Sequence, residues 1–105
     1  MMRITVWRQN GTAPPNTPPT ATVAAFNEAV AALKKVPGAG EVSWGFGHGG
    51  IVTGGHPSDY AAADAILKDP SVQAAVAKIF ALGIAIDEDY FVATPEQVMP
   101  FIPAQ

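Results

Sequence analysis

Residues 44–57 read WGFGHGGIVTGGHP, and the fold class turns on whether this stretch is a ligand loop or a hairpin. It holds one of the two tryptophans, both histidines and six of the ten glycines. A glycine loop that cradles phosphate sits between a strand and a helix, with an apolar run entering it. Here the flanks alternate instead. Val42, Trp44 and Phe46 fall on one side and Glu41, Ser43 and Gly45 on the other, the period of a strand. With a tight turn centred on His48-Gly49, Phe46 pairs with Ile51 and Trp44 with Thr53 on one face of a hairpin. Ser43, Gly45, Val52 and Gly54 then make an opposite face nearly bare of side chain. A slip of one residue would exchange the faces.

Upstream, Val23, Phe26, Val30 and Leu33 recur at helical spacing with Ala25 and Ala29 beside them, behind Thr22 as expected N-cap. Lys34 and Lys35 favour the carbonyl end of that helix, and Pro37-Gly38 stops it. Asn10–Thr20, NGTAPPNTPPT, is a loop with four prolines, of a length more typical of lids and binding arms than of connectors. Before it, Arg3–Gln9 alternates Ile4, Val6 and Arg8 against Thr5, Trp7 and Gln9, a strand with bulk on both faces. Downstream, Ser58 or Asp59 caps a helix whose inward face is Tyr60, Ala63, Ile66 and Leu67. Asp69-Pro70 breaks it and starts another, with Val72, Ala75, Val76, Ile79 and Phe80 at helical spacing and Gly83 at its end. Tyr90–Ala93 is the last strand, with a start as early as Ile84 allowed. Thr94-Pro95-Glu96 caps a final turn before the apolar tail MPFIPAQ. Residues 95–105 are expected to dock on a partner subunit, since Phe101-Ile102 needs an apolar seat.

The 105 residues fit one domain, 1–105. With 49% hydrophobic and 14% charged residues, the chain has more apolar material than a lone domain of this size needs to bury. A net charge of −3 and six scattered Lys and Arg argue against nucleic acid or anionic membrane as partner. The absence of cysteine removes disulfides, thiolate metal sites and cysteine nucleophiles. No apolar run approaches the ~20 residues of a membrane span, and the N-terminal residues lack a signal sequence. A soluble, cytoplasmic protein is expected.

The element order is strand, helix, strand, strand, helix, strand, the split βαβ of an α+β ferredoxin-like sandwich. Both helical regions then lie on one face of the sheet, and nothing in the chain is left to cover the other. Apolar residues on both faces of the strands therefore predict a homodimer joined sheet to sheet. In length, element order, the helix broken at KDPSVQAAVAKI and the apolar tail, the chain resembles the dimeric α+β barrel proteins. That resemblance implies two ferredoxin-like βαββαβ subunits sharing one barrel, with a small-molecule site between helices and sheet. It does not imply one chemistry, because the family includes cofactor-independent monooxygenases, haem-degrading enzymes, muconolactone isomerases, polyketide cyclases and proteins without known activity.

Three side chains are the candidates for chemistry. His48 in its glycine turn is free to act as a general base, oriented by Asp87 or Asp89. An exposed turn also tolerates a histidine with no role. His56 stands at the far end of the next strand, beside a helix N-terminus, where it acts as base or haem ligand or merely packs the helix entry. The strand between them places the two more than ~15 Å apart, so one metal cannot take both, and no zinc is expected. Arg8 requires a carboxylate or a ligand, and a salt bridge to Asp87 or Asp89 is the simpler account. Trp7, Trp44, Phe46 and Tyr60 are candidates to line an apolar pocket, against the alternative that they are core or interface. The expected function is a homodimer acting on a small apolar or aromatic metabolite without cofactor, by isomerisation, cyclisation or oxygenation. The alternatives are a haem-binding or haem-degrading protein and a non-catalytic dimer that binds a ligand or a partner.

Overall fold

The computed structural model describes residues 1–47 and 49–98. Its elements are β1 (Met2–Gln9), α1 (Ala21–Lys34), β2 (Val42–Gly47), β3 (Gly50–Gly55), α2 (Tyr60–Lys68), α3 (Pro70–Ala81), β4 (Ile84–Val92) and a short α4 (Pro95–Val98). The four strands form one antiparallel sheet in the order β2-β3-β1-β4. The hairpin has the expected register, with Phe46 opposite Ile51, Trp44 opposite Thr53 and Gly47 opposite Gly50 at the turn. Gly49 at φ 72° supplies the left-handed residue that this turn needs.

The core lies between the sheet and the α1–α3 pair. Trp7 meets Phe26 edge-on at 5.5 Å, Phe26 stacks on Trp44 at 5.3 Å, and Ile51, Ile79 and Ile84 close around them. A smaller apolar cluster of Val36, Ala39, Ile66 and Val72 fixes the end of α1 against the α2–α3 break. That break forms as the sequence dictates. The Asp69 carboxylate accepts from the backbone N–H of Ser71 at 2.9 Å and of Val72 at 3.1 Å, and Pro70 occupies the first turn of α3. Asp59 caps α2 by accepting from Ala62 N–H at 2.8 Å. Gly83, at φ 78°, ends α3.

Several local expectations are corrected. The first helix begins a residue after Thr20, not after Thr22, and Thr20 makes no side-chain cap bond. Val23, Leu67 and Phe80 are partly exposed rather than buried, and the Phe80 ring still lies 6.1 Å from that of Trp7. β4 takes the earliest start that the sequence allows, Ile84, and this places Asp87, Glu88 and Asp89 in mid-strand. Arg8 shares the side of Ile4 and Val6, the face away from the helices, because Trp7 takes the helix-facing side. Gly45 and Gly54 lie on that same outer face. Among the described residues, a Cβ placed at either would meet no atom within 4 Å. His48 and the tail at 99–105 are outside the described residues. Among the described residues no helix is long and apolar enough to cross a membrane.

Candidate functional site

Strand alternation sets the helix-facing side chains of the two central strands: Arg3, Thr5 and Trp7 on β1, Ile51 and Thr53 on β3. β4 would follow the same alternation from Ile84 and Ile86, which would turn Glu88 and Tyr90 inward. It does not, because one extra residue, Asp87, is inserted between the pairs Trp7–Ile86 and Val6–Glu88. The bulge reverses the phase, and Asp89 and Phe91 now face the helix side, opposite Thr5 and Arg3.

Three strands thereby place Thr53, Thr5 and Asp89 in one row across the sheet, with Arg3 at its end. Arg3 forms a fork with Asp89, Nε to Oδ1 at 3.0 Å and Nη2 to Oδ2 at 2.7 Å. Thr5 Oγ1 donates to Asp89 Oδ1 at 2.9 Å. The guanidinium also lies over the Phe91 ring at 5.5 Å, so it is held both edge-on and on its face. The Arg3 hydrogen bonds hold the Asp89 carboxyl below the usual carboxylate range, opposed by partial burial and helped by the Thr5 hydroxyl. Trp7 Nε1 donates to Thr53 Oγ1 at 3.0 Å.

Above this row, between sheet and helices, lies a cavity of about 130 Å³. Its wall is Leu33, Val42, Ile66, Val72, Val76 and Ile86, and its polar floor is Arg3, Thr5 and Thr53 beside Trp7. The volume approaches that of a ~150 Å³ apolar cavity known to accept benzene.

A second depression, about 390 Å³, lies at the hairpin edge, and here Trp7, Arg8 and Phe46 come together with Thr22, Gly49 and Gly50. It is wider to solvent. Phe46 is 72% exposed, and Arg8 is tied by Nε to Asp87 Oδ2 at 2.6 Å. A ligand there would keep much of its surface in water, whereas binding pockets bury most of it. The cavity under the helices is therefore the stronger candidate.

The residues singled out from sequence are thus dispersed. Trp7 is buried and separates the two hollows. Trp44 is half-buried against the core, stacked on Phe26, with Nε1 donating to Asn27 Oδ1 at 2.8 Å. Tyr60 packs edge-on against Phe91 at 5.4 Å, outside the cavity wall. His56 is exposed; its neighbours Gly55 and Pro57 line the cavity and it does not. Sequence reasoning does not single out the row of Arg3, Thr5, Thr53 and Asp89. The signal that could find it lies in β1, where Arg3 and Thr5 share the phase of Trp7, and polar groups in the phase of a core tryptophan need partners.

No family model matches the chain, and no curated protein matches it. Solved structures do. A dimeric ferredoxin-like protein of unknown function from Jannaschia sp. CCS1 superposes with a TM-score of 0.61 at 18% identity, over 88% of this chain and 100% of that one. The fold is ferredoxin-like. A dimeric protein of unknown function and ferredoxin-like fold from Bacteroides fragilis NCTC 9343 gives a TM-score of 0.56 at 14% identity, covering 85% and 92%. At such identities the ferredoxin-like architecture is what is shared, and the geometry of the site belongs to this chain.

Proposed function

We propose that the protein is a homodimer whose subunits each bind a small apolar or aromatic metabolite in the cavity between sheet and helices. The observation that carries this reading is the cavity itself, apolar in its walls and polar only along one row of the floor. Binding is favoured over proton-transfer catalysis. The carboxylate bound to the floor residues is held ionised by Arg3 rather than tuned toward neutrality, and the described histidine stands outside the wall. The dimer is supported by the apolar sheet face away from the helices, where Ile4, Val52, Tyr90 and Val92 lie together, and by the dimeric state of both solved neighbours.

Two measurements test the reading. Sedimentation at micromolar concentration is expected to give twice the 10.9 kDa chain mass. A monomer would overturn the dimer. Titration with toluene, followed by NMR of the Trp7 indole N–H, is expected to show saturable shifts in the native chain. Val76→Phe, which projects bulk into the cavity, is expected to abolish them while the far-UV spectrum is unchanged. No saturable shift in the native protein would overturn the cavity as a binding site.

A further inference from the structure

The polar floor of the cavity has unspent hydrogen-bonding capacity of one kind. Thr53 Oγ1 receives the indole N–H of Trp7, which uses a lone pair and leaves its own hydrogen to donate. No acceptor for it is found among the described residues. Arg3 spends Nε and Nη2 on Asp89, and its Nη1 hydrogens have no acceptor among the described residues either. Both lie on the helix-facing side of the sheet and both line the cavity. Acceptor capacity is the reverse: Asp89 already takes three hydrogen bonds, and Thr5 gives its proton to it.

The charge balance is equally restrictive. Arg3 is the cation of the floor, and Asp89 cancels it through two hydrogen bonds in fixed geometry. A carboxylate or phosphate entering the cavity would find no net positive charge. An entirely apolar molecule would leave the Thr53 hydroxyl unanswered.

We infer that the ligand is an uncharged, largely apolar molecule presenting a single carbonyl-type oxygen, received by the Thr53 hydroxyl. Asp89 acts as a specificity element: by neutralising Arg3 it turns an anion site into a site for a neutral acceptor. This deepens the proposal of a ligand cavity and rests on it.

Three probes of closely similar size separate the outcomes: cyclohexanone, methylenecyclohexane, in which CH₂ replaces the oxygen, and cyclohexanecarboxylate. In the native chain the ketone is expected to bind more tightly than the carboxylate. Thr53→Val is expected to weaken the ketone about tenfold and to leave methylenecyclohexane unchanged, the size of one lost hydrogen bond to an oxygen. Thr53→Ser, which keeps the hydroxyl and the Trp7 acceptor, restores ketone binding. Asp89→Asn leaves Arg3 uncompensated and is expected to raise carboxylate affinity about tenfold or more, reversing the native preference. A native chain that prefers the carboxylate would overturn the inference, as would equal losses for ketone and alkene on Thr53→Val. In either case the cavity would stand as an apolar site. Failure of all three probes to bind would take down the cavity proposal with it.

Discussion

Asp89 joins the fold to the site. Its carboxylate takes two hydrogen bonds from Arg3 and one from Thr5, and these hold its pKa below the ordinary carboxylate range. A carboxyl that is more acidic in the folded than in the unfolded chain stabilises the fold at pH above its unfolded value. That contribution is lost as pH falls through the folded value. Stability is thus expected to decline through and below the usual carboxylate range, and Asp89→Asn to flatten this part of the profile. At neutral pH the same variant is expected to cost up to about 1 kcal/mol, since the pair is partly solvated. Urea unfolding at a series of pH values measures both effects. Phe26 is the other decisive side chain. It is fully buried between Trp7 and Trp44, so Phe26→Ala is expected to cost about 3–5 kcal/mol, a large part of the ~5–15 kcal/mol of a whole domain. Chemical denaturation provides the check, and a loss below about 1 kcal/mol would contradict this packing.

Among the elements, two junctions hold the cavity wall in place. The α2–α3 break places Ile66 and Val72 against Val36 and Ala39, and it is fixed by the two hydrogen bonds that Asp69 accepts. Asp69→Ala is expected to destabilise the protein by about 1 kcal/mol, with amide exchange quickening first at the start of α3. The loop between α1 and β2 passes the end of β3 at Gly40, which has φ 68° and packs directly on the His56 carbonyl. A methyl group there would collide with that backbone oxygen, in a conformation that alanine already disfavours. Gly40→Ala is therefore expected to cost more than about 1 kcal/mol and to lower the thermal midpoint. The bulge at Asp87 differs from both junctions in acting on direction. It reverses which residues of β4 face inward, and its own carboxylate turns to Arg8.

In the molecule as a whole, α1 and α3 cover one side of the sheet. The helices lie over Trp7, Trp44 and Ile51, while Ile4, Val52, Gly54 and Tyr90 occupy the other face. Tyr90 and Val92 are each about half exposed within the subunit, at 47% and 48%. A charge on that face is readily hydrated by a lone subunit, but it would be buried, and doubled by symmetry, between two sheets. The double variant Val52→Lys, Tyr90→Lys is thus expected to remain folded and to sediment as a monomer, with dissociation at least about a hundredfold easier than in the native chain. An unchanged association state in a folded variant would place the interface elsewhere.

The elements, their order and the hairpin register are legible in the chain without its coordinates. They follow from periodicity, from capping by Asp59 and Asp69, and from glycine at a left-handed turn, all of which act over a few residues. Trp7 and Trp44 stand out in the same way as large apolar side chains, but core and pocket cannot be told apart, because that depends on what each ring meets across the chain. The candidate site is a product of tertiary structure. An alternating reading of β4 turns Glu88 and Tyr90 inward, and only pairing with β1 reveals that Asp87 is the residue left over. That one unpaired residue brings Asp89 to Arg3, 86 positions away, and makes a polar floor beneath an apolar cavity. Local propensity has no means of registering such a shift, since a bulge exists only relative to the partner strand.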